Sequence, residues 1–143
     1  MKKSSIFISI SFLAVVLFSC GKSNEKTHEH SHDSATIELN EGEKWSLPDT
    51  MRHYLRAMEA DIVNFDASDS AAFDKLASSL DANLDGLTSN CTMKGKGHDE
   101  LHKWLVPYMN LVEKMTESDN EADSKSIFTE MESSFKTFNT YFE

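Results

Sequence analysis

Two histidines four residues apart, His98 and His102, stand in the stretch CTMKGKGHDELH that runs from Cys91 to His102. On an α-helix, residues four apart are neighbours on one face, so this pair can point two imidazoles at one ion. Cys91 and Met93 precede it on a glycine-containing segment that can fold back over the helix start. Thiolate, thioether and imidazole together suit a soft or borderline metal, Cu(I) or Zn(II). The spacing is neither that of a zinc finger nor C-x-x-C-H. A purely structural reading competes: His98 helps begin the helix, His102 sits at its boundary, and Cys91 is a small buried hydrophobe.

A second group of imidazoles lies upstream, where His28, His30 and His32 alternate with Glu29, Ser31 and Asp33. Short His-rich tracts bind Zn, Cu or Ni through neutral imidazole. A polar tract must lose backbone entropy to wrap an ion, so weak and exchangeable binding is expected, with a solvated linker as the alternative. His53 falls opposite the apolar stripe of its own helix and reads as a surface residue. Met51, Met58, Met109, Met115 and Met131 sit at or beside core positions, where methionine fills irregular gaps. Haem attachment lacks its C-x-x-C-H signature. Cys91 with His98 has no third orienting group, and phosphate-binding glycine loops, G-x-S-x-G and H-E-x-x-H are all missing, so no catalysis is expected.

The elements that must hold these groups are helical. Met51, Leu55, Met58, Ile62 and Phe65 follow at heptad-like spacing after a start at Ser46 to Asp49, with Pro48 in the first turn. A second helix from Asp69 or Ser70 carries Phe73, Leu76, Leu80, Leu84 and Leu87. A third, from about His98 to Met115, turns Leu101, Trp104, Leu105, Tyr108, Leu111, Val112 and Met115 inward, with a kink expected at Pro107. A fourth, capped by Ser118 or Asp119, bears Phe128, Met131, Phe135, Phe138 and Phe142. Four amphipathic helices with short connections predict an all-α, antiparallel up-down-up-down four-helix bundle over residues 45–143.

The chain begins differently. Lys2 and Lys3 precede a run of 13 residues, Ile6 to Phe18, that is mostly apolar. That is too short to span the roughly 20-residue thickness of a bilayer core, but suits a signal peptide. Leu17-Phe18-Ser19-Cys20 closes the segment and resembles the lipobox of bacterial lipoproteins, in which the Cys is acylated and becomes the first residue of the mature chain. Phe18 departs from the usual occupant of its position. The resemblance implies a signal peptide over 1–19, a lipidated Cys20, and stable membrane attachment once two or more acyl chains are present. Residues 20–44 then read as a disordered, His-rich tether. Gly21, rather than Asp, follows the Cys, which points to the outer membrane.

The formal charge is −10, and loss of Lys2 and Lys3 with the signal leaves −12. Nucleic acid is therefore an unsuitable partner. With Cys20 committed to lipid, Cys91 has no internal disulfide partner. The lipobox, the His/Glu-rich tether, the start at Trp45 to Asp49 and CTMKGKGHDELHKWLVPYM together resemble small helical envelope lipoproteins of Bacteroidetes-type bacteria. That resemblance implies location and fold, and suggests handling of heavy metals without assigning residues to it. Two functions stay open: a membrane-tethered binder of Cu or Zn, or a metal-free module that binds another envelope protein.

Overall fold

The computed structural model of the chain describes residues 36–68 and 70–143. The expected signal peptide, Cys20, and His28, His30 and His32 lie outside the described residues. The described chain forms α1 (Asp49–Val63), a 3-10 turn (Ser70–Ala72), α2 (Phe73–Ser89), α3 (Lys96–Glu117) and α4 (Glu121–Tyr141). Cross-helix contacts give their directions. Gly86 of α2 abuts Tyr54 of α1, and Ser79 donates to Asp61 at 2.7 Å, so residue numbers rise on one helix as they fall on the other. Trp104 of α3 donates its indole N–H to the Ser134 carbonyl of α4 at 2.9 Å, and Arg56 of α1 reaches Asn139 of α4 at 2.7 Å. Consecutive helices pack together and α4 returns to α1, which gives the expected four-helix bundle.

The apolar stripes read from the sequence are the core. Leu55, Met58, Leu80, Leu87, Leu101, Tyr108 and Met131 are wholly buried. Between α3 and α4 the core is aromatic: Trp104 stacks on Tyr108 with centroids 5.0 Å apart and meets Phe138 at 4.7 Å. Such offset and tilted ring pairs add to the area they remove from water. The Tyr108 hydroxyl is buried without a hydrogen-bond partner among the described residues. Burial, then the Asp61 carboxylate, hold its ionisation well above the usual phenol range.

Several ends differ from expectation for local reasons. Pro48 sits just before α1 rather than in its first turn, and its carbonyl accepts from the Met51 and Arg52 amides. α1 stops at Val63, so Phe65 lies beyond the helix and instead packs its ring on Phe73 and Phe128 at 4.9 and 5.0 Å. The cap of α4 is Asn120, not Ser118 or Asp119: its side-chain oxygen accepts from the Asp123 amide at 3.0 Å, the third residue of the helix. Ser118 is occupied elsewhere, accepting from the Ser124 hydroxyl. α3 passes through Pro107 as one helix, and Pro107 lies on its exposed side.

The largest difference concerns residues 36–44, which were expected to belong to a disordered tether. They form a strap along α3 instead. A tight turn at Asn40 to Glu43 closes with reciprocal backbone bonds of 2.8 and 3.0 Å, with positive φ at Glu41 and Gly42. Trp45 then bonds through its amide to the Tyr141 carbonyl and through its carbonyl to the Glu143 amide. The strap and the chain's last residues are thus joined beside α1.

Candidate functional site

The site is built on the first two turns of α3. Gly95, at φ 69°, turns the chain into the helix. Gly97 is buried because the Trp45 ring lies against it: a Cβ there would sit 2.9 Å from Trp45 Cε3. From that start the helix presents two flanks of opposite character.

On the strap flank, the charges of Glu100, Lys103 and Lys96 are all paired. Glu100 is only 3% exposed, although it is an acid on a surface helix. Its carboxylate accepts the Glu38 amide at 2.8 Å and two contacts from Lys103 Nζ at 2.8 and 2.9 Å. Lys103 also donates to the Thr36 carbonyl at 3.0 Å, and Lys96 pairs with Glu38 at 3.0 Å. Desolvation pushes the Glu100 carboxyl up, but the hydrogen bonds from Lys103 and Glu38 and the nearby lysine charges outweigh it and hold the group below the usual carboxylate range. Trp45 completes the clamp by donating its indole N–H to the Glu38 carbonyl at 2.7 Å.

On the other flank, His98 and His102 stand together with ring centroids 4.3 Å apart and planes 50° apart. His98 is partly covered and His102 is exposed. Neither ring donates or accepts a hydrogen bond among the described residues, and Asp99 lies 3.9 Å from His98 Nδ1. Two imidazole rings this close on one helical face suit a divalent ion with metal–nitrogen bonds of about 2.0–2.1 Å. The positive end of the α3 dipole opposes a cation there by only about 0.3–1 kcal/mol.

The structure gathers two of the four donors expected at this helix start. Cys91 and Met93 are half-buried and pack against the apolar core, with the Met93 methyl near Gly97 and Trp45. A thiol and a thioether gain more from that contact than a surface position offers. Among the described residues, no three His, Cys, Asp and Glu side chains form a group that could hold a metal ion. His53 is exposed and meets the Tyr54 ring edge-on, as a surface residue. Met51, Met58, Met115 and Met131 are core residues, whereas Met109 is 39% exposed.

Sequence reasoning missed a cleft between α2 and α3. It encloses about 440 Å³ over Leu84 and Val112, with Asp81, Asp85, Glu113 and Glu117 around it. None of these four carboxylates takes part in an ion pair among the described residues. The signal was present as an acidic residue directly after Leu80, Leu84 and Val112, but only the α2–α3 pairing puts the two rows opposite each other. No described helix is long and apolar enough to cross a membrane. No family model matches the chain, and neither curated proteins nor solved structures give a match.

Proposed function

We propose that this chain is a lipid-anchored envelope protein, without catalytic activity, whose bundle carries a surface site for a transition metal. The observation that carries the metal reading is the His98–His102 pair: two imidazoles without a described hydrogen bond, their ring centroids 4.3 Å apart, on a helix that the strap and core hold in place. With Cys91 and Met93 turned toward apolar surroundings, an imidazole site favours Zn(II) or Cu(II) over Cu(I). Membrane attachment rests on the sequence alone, through the signal segment and Cys20, and the tether histidines His28, His30 and His32 are a second, weaker contact for the same ions.

Competition titration of the soluble mature chain with a chromophoric Zn(II) chelator tests the metal reading. The His98→Ala, His102→Ala double variant is expected to lose one class of binding that the parent shows. Unchanged affinity in that variant removes the site. Labelling cells with a fatty-acid analogue tests the anchor, with label expected on the parent chain and none on Cys20→Ser.

The α2–α3 cleft favours a second reading, a metal-free module that binds a cationic surface of another envelope protein. Apolar floor and unpaired carboxylates suit such a partner. Capture that persists in chelator but weakens steeply with salt supports it. Capture that needs metal argues for the first reading.

A further inference from the structure

We propose that the α3 imidazole pair is half of a metal site that a second copy of this chain completes, so that one zinc ion joins two bundles through four histidines. The inference rests on the reading of His98 and His102 as ligands and adds the identity of the missing ones. A closed zinc site takes four ligands in tetrahedral array. The pair supplies two, and among the described residues no third His, Cys, Asp or Glu joins them. A twofold contact doubles both ligands without any new residue, because each copy presents the same patch.

The surface beside the pair fits that contact. His98, His102, Val106 and Met109 follow at spacings of four, four and three, within roughly 80° of the helix circumference at 3.6 residues per turn. Val106 and Met109 are 47% and 39% exposed, two of the few large apolar side chains that reach solvent among the described residues. An ion that draws two copies together along this stripe also covers apolar surface on each, which favours association. Lys96 and Lys103 lie on the strap flank and are paired there, and Met109 borders the acidic α2–α3 cleft, so charge opposes the approach of two copies. The bound cation relieves part of that repulsion.

Size-exclusion chromatography with light scattering tests the proposal on the mature chain carrying Cys20→Ser, in a phosphine reductant that keeps Cys91 from cross-linking. Zinc sulfate is added stepwise. The proposal expects a monomer that becomes a dimer, complete at half an equivalent of zinc and reversed by chelator. The His98→Ala, His102→Ala variant stays monomeric at every zinc level. Val106→Asp with Met109→Asp keeps the ligands but weakens zinc-driven dimerisation by about tenfold or more, through apposed like charges. A monomer that binds one zinc per chain through His98 and His102 overturns the shared site while leaving the ligand reading intact. Zinc uptake that ignores both histidines overturns the two together. A dimer that persists in chelator overturns metal bridging.

Discussion

The two flanks of α3 start from the same two helical turns and end in opposite chemical states. On one, Glu100 and Lys103 are covered by residues 36–38, and their charges, with that of the exposed Lys96, are answered within the chain. On the other, His98 and His102 make no described hydrogen bond, and Asp99 lies 3.9 Å from His98 Nδ1. Burial of a charge is tolerated only with partners, so the first flank is committed to structure. Imidazoles on a helix surface without a described hydrogen bond stay available to something outside the fold. Composition does not separate these flanks, since each is a short run of polar residues. What separates them is whether another segment of the chain comes to meet them.

The comparison can be broken from beneath. Trp104 is 3% exposed, touches Tyr108, Phe135 and Phe138, and donates to the Ser134 carbonyl. Trp104→Ala should cost about 3–5 kcal/mol, read from the urea midpoint, and should disturb strap and imidazole pair alike. Glu100→Ala should act on one flank only. It strands the Glu38 amide and the Lys103 ammonium, at about 1–3 kcal/mol, and amide exchange over residues 36–44 should quicken while zinc binding holds.

Acid sharpens the same contrast. The Glu100 carboxyl is held below its ordinary value of 4.5 in the folded chain, so its stabilising contribution is complete above that pH and is lost as pH falls through the lowered folded value. Urea midpoints measured from pH 6 downward should therefore fall less in Glu100→Gln than in the parent. An equal fall in both chains would mean that the clamp holds no charged carboxylate. Gly97→Ala comes next: the added methyl meets the Trp45 ring at 2.9 Å, and after the helix-propensity gain the net loss should be about 1–2 kcal/mol, with changed Trp45 fluorescence. Smallest in stability is His98→Ala with His102→Ala, expected within about 0.5 kcal/mol of the parent when metal-free, since no described hydrogen bond is lost.

How much of this was legible depends on whether a feature is made within one segment or between two. The stripes of α1 to α4 repeat at helical spacing, and burial followed them down to Phe138 and Phe142. The His98–His102 pair is equally local, because four residues on a helix fix the neighbour. Helix ends were harder: Ser118, Asp119 and Asn120 all carry capping side chains, and only the geometry of the turn selects Asn120. Phe65 continued the periodicity of α1 although the helix had already ended at Val63. The strap left a faint trace, an acid at 100 that the helix interior would not welcome alone, but its partner is 62 residues away. Cys91 and Met93 had donor chemistry and apolar character in equal measure, and packing near the core decided for the latter.

On the proposed reading, His98 and His102 act as one ligand pair on an otherwise self-sufficient bundle. Imidazole NMR signals of the mature Cys20→Ser chain, followed as zinc sulfate is added, decide it. Both rings should shift together and saturate at the same zinc ratio, while the Trp104 indole and the Glu38 amide stay in place. If only one of the two rings responds, or if exposed His53 titrates alongside them with the same affinity, the pair is not a site.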